Sequence, residues 1–455
     1  DQALNARPLG RSMLERSLLL GASAVSSAPR NPIDVAASLG RAVPPPATPS
    51  IETRASWVVA VATLVILSVS FAAPYVAAVA LKPIADELGG ARSVPALAGA
   101  LSYLGAGLGG IGMGWAAERV GVRWTVMFGA LMIGVGLWLS TGGEAWHLYV
   151  GHGLFIGLLG NAGIFPPLMT YVSHWFDRRR GTALALISSG QYMAGALWPP
   201  IFERAVAWVG WRQTMLLFGL FAIGTIVPLA AIFLRRPPAP VAVAAGNAGA
   251  AGQASGGLSK GATFALLCVA SLLCCVPMAI PMGHLVAFCT DLGMAPARGA
   301  LMLSVLLGTA FLARQFWGWV ADRIGGLRTL LAGSICQAAA LTGFLLTQDE
   351  LGLFAVSTAF GLGFAGLIPA YIVAIREIFP AEEASWRVPT LLFLSLIGMA
   401  IGGWGAGVVY DWFGYYAPAF ALGVVSNLAH FAIIATLVMV DRRPSPSRAA
   451  FAPAH

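Results

Sequence analysis

One arginine is the residue best placed to do chemistry in this sequence. Arg314 lies inside the apolar run 298–320, and no other lysine or arginine falls well within a run of this kind. A guanidinium at the centre of a hydrocarbon layer costs at least about 2.5–3.5 kcal/mol, so it persists where it faces a cavity or a partner. Its fork matches a carboxylate, which makes Arg314 a candidate receptor for an organic anion. The alternative is structural pairing with Glu203 or with helix-end carbonyls.

A second group of candidates is polar or aromatic and lies near the middle of similar runs. Such side chains line pockets for small organic acids, but they also pack and hydrogen-bond neighbouring helices, and both interpretations stay open here. Imidazole titrates near neutral pH, so His284 is our first choice for a proton relay, ahead of His152 and His430. The uncharged candidates for substrate binding are Tyr75, Asn161, Gln191, Tyr192, Trp317 and Tyr371.

No catalytic set accompanies these residues. The sequence has no Ser/His/Asp arrangement, no paired carboxylates and no phosphate-binding Gly-Lys-Ser/Thr loop. The five cysteines lack the spacing of a zinc site, so we expect neither a metal nor a cofactor. These absences favour a protein that binds and moves a solute over an enzyme.

The elements that hold these residues are predicted to be membrane-spanning helices. Hydrophobic residues make up 58% of the 455-residue chain and charged residues only 10%, against about 25% charged in soluble domains. This composition excludes an ordinary soluble enzyme. The net charge of +8 comes from short arginine clusters between apolar runs, so we expect no nucleic-acid partner.

Twelve apolar runs of about 20 residues follow Trp57, each long enough to cross about 30 Å of hydrocarbon. They predict an all-α membrane protein. The runs are 57–80, 94–117, 124–142, 147–172, 181–203, 212–234, 261–284, 298–320, 329–347, 352–375, 389–410 and 417–440.

The longest polar interruption divides the runs six and six. With both termini on one side, that side carries 21 lysines and arginines and the other carries 5. The positive-inside rule therefore predicts cytoplasmic termini. We further expect a cell membrane, the inner membrane of a bacterium, as the location and a monomer as the oligomeric state. The predicted parts are a disordered cytoplasmic tail (1–54), a six-helix bundle (55–234), a cytoplasmic linker (235–260), a second bundle (261–440) and a cytoplasmic tail (441–455).

Two octapeptides 204 residues apart indicate a duplication. Residues 114–121 (GWAAERVG) and 318–325 (GWVADRIG) are identical at five of eight positions, and each closes the second helix of its half. We expect the two copies to control conformation, unless they serve only to orient the loops in the membrane. The conformational candidates are Gly114, Glu118, Arg119, Gly121, Arg123, Gly318, Asp322, Arg323, Gly325 and Arg328.

The residue types suggest how such a latch would work. Gly121 and Gly325 permit a tight turn. The acidic residues at 118 and 322 would meet a neighbouring helix N-terminus, and Arg119 and Arg323 would pair across the interface between the bundles. Separately, Gly-xxx-Gly spacings at 105–109 and 110–114 predict close packing of the second helix at that interface.

These motifs resemble the major facilitator superfamily, whose Gly-x-x-x-Asp-Arg-x-Gly motif follows helices 2 and 8. Residues 314–318 (RQFWG) resemble the branch of monocarboxylate transporters and oxalate/formate antiporters, whose helix-8 arginine binds the substrate carboxylate. The resemblance implies twelve helices in two pseudo-symmetric six-helix bundles around a central site. Two departures are Ala310, where animal monocarboxylate transporters have Asp, and the lack of the helix-11 cation of oxalate carriers in 389–410.

We therefore expect a secondary active transporter of a small monocarboxylate such as lactate, pyruvate or formate. It would work by alternating access, with a proton as co-substrate. One alternative is an exporter of drugs or hydrophobic metabolites with the same fold, although the Gly-Pro pattern typical of antiporter helix 5 is not found at 195–199. A membrane-embedded enzyme or a sensor is a further alternative, and a sensor would need a folded output domain.

Overall fold

The structure is a computed structural model that describes residues 51–235 and 258–440. Within these ranges the secondary structure is helical, without strands. Most of the predicted tails and linker (residues 1–50, 236–257 and 441–455) lies outside the described residues.

Eleven of the described helices are long and apolar enough to cross a membrane. One of them, Arg180–Phe233, has 54 residues and would measure about 81 Å at 1.5 Å per residue. Gly210 interrupts it with non-helical backbone angles, which divides it into two segments of spanning length. We name the segments α1 (Arg54–Val79), α2 (Ser93–Val120), α3 (Val122–Ser140), α4 (Ala145–Ser173), α5 (180–209), α6 (211–233), α7 (Lys260–Asp291), α8 (Pro296–Ile324), α9 (Gly326–Leu346), α10 (Glu350–Ile378), α11 (Ala381–Phe413) and α12 (Ala417–Val440).

The observed helices overlap all twelve predicted runs, but α11 begins eight residues earlier than predicted. The added turns carry Arg387, which stays helical because it donates to Glu383 one turn away, at 2.6 Å. Its guanidinium also lies over the ring of Phe379, 4.0 Å from the centroid. A helix boundary that is predicted from hydropathy excludes such charged residues. They can still lie in the helix, because protein groups rather than water interact with their charges.

Four of the seven described glycines with positive φ directly follow the last residue of a helix at a short turn into the next helix. Gly121 and Gly325 (φ 98° and 85°) end α2 and α8, as predicted, while Gly210 and Gly414 (φ 82° and 81°) end α5 and α11. Only glycine adopts these angles readily. Gly325 follows Gly121 by 204 residues, and Gly414 follows Gly210 by the same number, which is the offset of the octapeptide repeat. The turn geometry therefore repeats in both halves of the chain.

Helix packing repeats as well. Helix α2 packs on α4 as α8 packs on α10, and α3 packs on α6 as α9 packs on α12. The two sets of six helices meet where α2 packs on α11 and α5 packs on α8. The fold is thus the predicted pair of pseudo-symmetric six-helix sets.

Several helices are broken near their centres, and the breaks position the uncharged candidates. The backbone of α1 turns at Phe71–Ala72, and Tyr75 follows directly. A π-helical segment of α4 ends at Asn161. In α5 a break at Ser189 precedes Tyr192, and in α10 a break at 365–366 precedes Tyr371. Prolines 74, 166 and 369 follow three of these breaks, in keeping with the effect of proline on a helix.

Candidate functional site

Arg314 lies between the two sets of helices, near the middle of α8. Its guanidinium carbon is 5.3 Å from the ring centroid of Tyr192 on α5, across the interface. Within residues 51–235 and 258–440 it forms no ion pair, and the pairing with Glu203 that was one alternative is not present. The arginine is half-buried, so its guanidinium is only partly exposed to solvent.

Tyr192 lies beside this charge, and two further tyrosines lie near Tyr192. Tyr75, Tyr103 and Tyr192 lie close enough to interact electrostatically with one another. The Tyr75 hydroxyl is buried and has no hydrogen-bond partner among the described residues. Sequence analysis did not select Tyr103 as a candidate. The only feature of the sequence that could have indicated it is its position as an aromatic residue in the glycine-rich α2. Together these groups offer hydrogen-bond donors beside a cation, which suits a carboxylate.

Tyr371 and Gln191 remain compatible with substrate contact. The Tyr371 side chain is fully buried near Cys274 and Cys275 of α7, and Cys275 also neighbours Tyr192. The Tyr371 hydroxyl has no hydrogen-bond partner in the described part of the chain. Gln191 is half-buried and makes no hydrogen bond to another described residue.

Asn161 and Trp317 have structural partners instead. The side-chain oxygen of Asn161 accepts a hydrogen bond of 2.6 Å from Ser70, which joins α4 to α1. The Trp317 indole donates to the Leu362 carbonyl at 2.6 Å, which joins α8 to α10. For these two residues the geometry favours the helix-packing interpretation over substrate contact.

His284 is buried near the end of α7, away from Arg314 along the helix axes. Its Nδ1 lies 3.0 Å from the Tyr416 hydroxyl, and its Nε2 lies 2.8 Å from the Gly403 carbonyl oxygen. Both ring nitrogens are therefore occupied, as in a structural histidine. A relay role would require one of these hydrogen bonds to break.

The repeated motifs lie at the end of α2 and α8 that we call the Arg119 end. Arg119 and Arg323 form no ion pair across the interface among the described residues. Each guanidinium lies over a tryptophan of its own helix, 3.7 and 3.9 Å from the ring centroid. Glu118 and Asp322 are exposed and accept no hydrogen bond from a described residue. The carboxylate at the N-terminus of α9 is Glu377, which accepts from the Gly326 N–H at 3.0 Å.

The remaining motif residues at this end also lack contacts across the interface in the described structure. A Cβ at Gly114 or Gly318 would meet nothing within 4 Å. Arg123 lies near its neighbour Trp124, and Arg328 is exposed. The expected latch is therefore not engaged in this conformation.

The opposite end of the helices, which we call the Arg92 end, is joined instead. Among described residues, the hydrogen bonds between the two sets of helices all lie here. They link Lys82 and Arg92 to Asp291, and the backbone of residues 92–93 to Asp411. Sequence reasoning missed this cluster, because its members come from three separate regions of the chain.

A second group at the Arg92 end stays within the first six helices. Arg212 and the Trp211 indole donate to the Glu87 carboxylate, and these hydrogen bonds lower the pKa of Glu87 from its usual value. They tie the short helix Leu81–Glu87 to the start of α6.

Tyr192 provides a test of the central site. We expect Tyr192→Phe to weaken carboxylate binding by about three- to tenfold, because one neutral hydrogen bond is worth about 1 kcal/mol. Tyr149→Phe, on the partly exposed tyrosine of α4, is the matched control. Equal affinities for Tyr192→Phe and the parent would remove Tyr192 from the site.

Comparison with known proteins identifies the family. The sequence model of the Major Facilitator Superfamily matches residues 58–290 and 266–454. The chain belongs to this superfamily. The two matched segments overlap at residues 266–290, within α7.

Among relatives, monocarboxylate transporter 13 of Bos taurus is 26% identical over 331 residues, 70% of this chain and 75% of that protein. Monocarboxylate transporter 11 of Homo sapiens is 26% identical over 63% of this chain and 54% of its own length. The MFS-type transporter pynF of Aspergillus niger is 25% identical over 65% of this chain, and the match spans 64% of that protein. This chain therefore resembles the monocarboxylate transporter branch of the superfamily.

Solved structures share the fold. A bacterial homolog of the human lysosomal transporter Spinster, in an inward-facing and occupied conformation, has a TM-score of 0.66 at 16% identity and covers 86% of this chain and 98% of its own. A POT family transporter in complex with 5-aminolevulinic acid has a TM-score of 0.64 at 12% identity, covering 83% and 95%. At these identities the likeness concerns the fold alone.

Proposed function

We propose that this superfamily transporter carries a small monocarboxylate such as lactate, pyruvate or formate. The observation that carries the proposal is Arg314, a half-buried guanidinium between the two sets of helices with no acidic partner among the described residues. Tyr192 lies against it and Tyr75 lies near Tyr192, so an anion there would meet a cation and hydroxyl donors.

The single positive charge favours one carboxylate over two. The central segment of α11 has no lysine or arginine, and Arg387 near its start is already bound to Glu383. A dicarboxylate would leave its second charge unpaired in a region of low dielectric, which is costly. The relatives named monocarboxylate transporters support the same substrate class.

The proposed mechanism is alternating access with proton symport. The Arg92 end is joined, whereas at the Arg119 end no hydrogen bond between described residues links the two sets of helices. This arrangement suits a conformation that is open toward the Arg119 end. The Lys/Arg distribution supports cytoplasmic termini, so this side would be the cytoplasm of a cell. A proton moving with a monocarboxylate would keep the transferred charge at zero, and no cofactor would be needed.

A second candidate is the export of hydrophobic metabolites. The fungal relative pynF is named an MFS-type transporter and not a monocarboxylate transporter, which keeps a cargo other than a carboxylate as a second candidate. An uncharged substrate would form no ion pair with Arg314. The effect of replacing Arg314 therefore distinguishes the two candidate functions.

Uptake into proteoliposomes tests the proposal. Purified protein should exchange labelled lactate, pyruvate or formate, and unlabelled monocarboxylates should compete whereas the matching amides should not. An imposed inward proton gradient should accelerate net uptake. Exchange of uncharged metabolites with no response to any carboxylate would contradict the proposed substrate class.

A further inference from the structure

Arg92 is the most deeply buried of the ion-paired cations at its end of the described structure. It donates to both carboxylate oxygens of Asp291, at 2.5 and 2.6 Å. Its guanidinium carbon lies 3.7 Å from the Tyr410 ring centroid and 5.2 Å from that of Tyr416. Only 6% of the Arg92 side chain is exposed. A carboxylate and two aromatic faces thus surround a planar cation.

The partners of Arg92 all come from the other set of six helices. Arg92 directly precedes α2, whereas Asp291 ends α7 and Tyr410 and Tyr416 flank the turn between α11 and α12. Lys82, also from the first set, adds a weaker contact to Asp291 at 3.5 Å. The cluster therefore connects the two sets rather than stabilising one of them.

Asp411 provides a second connection at the same place. Its carboxylate accepts hydrogen bonds from the backbone N–H groups of Arg92 and Ser93, at 2.7 and 3.0 Å. N–H groups at the start of a helix have no partner within the helix, and a negative charge there interacts favourably with the helix dipole. Asp411 supplies both the acceptor and the charge for α2. One turn away, a Cβ at Gly407 would lie 2.9 Å from the Ser93 Cα, so α11 and α2 approach closely here.

The electrostatics of the cluster favour the charged guanidinium. Burial opposes its positive charge, but the hydrogen bonds to Asp291 outweigh this and raise the pKa of Arg92. Separating the two sets of helices would expose Arg92 and Asp291 to water, which solvates both. The cluster can thus form and break without leaving a buried unpaired charge.

We propose that Arg92, bound by Asp291, Tyr410, Tyr416 and Asp411, is the latch that holds the Arg92 end closed. The latch must separate each time the central site opens toward that end. This inference rests on the alternating access proposed above, but it concerns residues other than those of the Arg314 site.

Distances between spin labels across the Arg92 end test the latch. Labels at Gln213→Cys and Trp412→Cys occupy exposed positions on opposite sets of helices, in a background with the exposed Cys336→Ser. We expect Asp291→Asn to raise the ratio of long to short distances by about tenfold or more, since it removes a charged, bidentate interaction. Arg92→Lys should have an intermediate effect, because the ammonium keeps the charge without the fork.

Two controls make the result specific. Glu350→Gln breaks an ion pair with Arg298 at the same end, within one set of helices, and should leave the distances unchanged. Combining Arg92→Asp with Asp291→Arg should recover part of the short-distance population. Parent-like distances in Asp291→Asn would overturn the latch. The distance measurement uses no substrate. Its result is therefore independent of whether the protein transports a carboxylate.

Discussion

Replacing Arg314 by alanine is expected to lower kcat/KM for monocarboxylate uptake at least about 100-fold. The substitution removes two charge-assisted hydrogen bonds, each worth about 1.5–3 kcal/mol, and about 1.4 kcal/mol corresponds to a factor of ten. Initial rates of labelled uptake into proteoliposomes give this ratio. The loss should appear at every monocarboxylate tested, since the guanidinium binds the group that they share.

Two further variants separate a specific role from damage to the fold. Arg314→Lys should remain clearly impaired, because an ammonium cannot bind both carboxylate oxygens in the same plane. Arg204→Ala removes an exposed arginine on α5 and should transport like the parent. If Arg314→Ala transported as well as Arg204→Ala, the assignment of the binding site would be wrong.

Gly109→Ala is expected to be among the most destabilising single-methyl changes in α2. A Cβ at this position would lie 2.2 Å from the Leu158 carbonyl oxygen and 2.8 Å from the Ala162 Cβ, both on α4. Backbone cannot give way as a flexible side chain does, so the cost should reach about 3 kcal/mol, the upper end for overpacking. Thermal unfolding of the detergent-solubilised protein should show a lower Tm and a smaller yield of monodisperse protein.

Gly112→Ala is the matched control, one turn along the same helix. A Cβ there would meet nothing within 4 Å, and alanine is favoured over glycine in a helix by about 1 kcal/mol. Its Tm should therefore equal or exceed that of the parent. Similar Tm values for Gly109→Ala and Gly112→Ala would show that α2 and α4 do not approach as closely as described.

The sequence predicts the elements of this fold well, because they depend on local properties. A run of apolar residues specifies a spanning helix wherever it occurs, and α12 occupies the predicted range 417–440. The turns at Gly121 and Gly325 follow from the freedom of glycine at positive φ. Arg314 was recognisable for a related reason, since a lone cation in an apolar segment needs a specific explanation.

Interactions between distant parts of the chain were not predictable in the same way. The Gly-xxx-Gly spacing indicated that α2 packs closely against another helix, but the prediction for Gly105 and Gly109 was wrong about which one. Both meet α4 of their own set, whereas Gly107 faces Phe393 across the interface. A spacing identifies a face of small residues without identifying what packs on it.

The latch at the Arg92 end illustrates the same limit for charges. Arg92 and Asp291 are 199 residues apart, and each stands at a helix end, where charged residues are common. Likewise, Glu377 rather than Asp322 accepts from the start of α9. Such pairs depend on how helices are arranged in three dimensions, which local patterns do not specify.

The most direct test of the account measures binding of lactate and lactamide to the parent and to Arg314→Gln. Calorimetry on the purified protein gives four affinities, and their double ratio isolates the coupling between the substrate charge and the arginine. We predict that the parent prefers lactate by about 100-fold or more and that Arg314→Gln loses most of this preference. An undiminished preference in Arg314→Gln would contradict the claim that Arg314 holds the carboxylate.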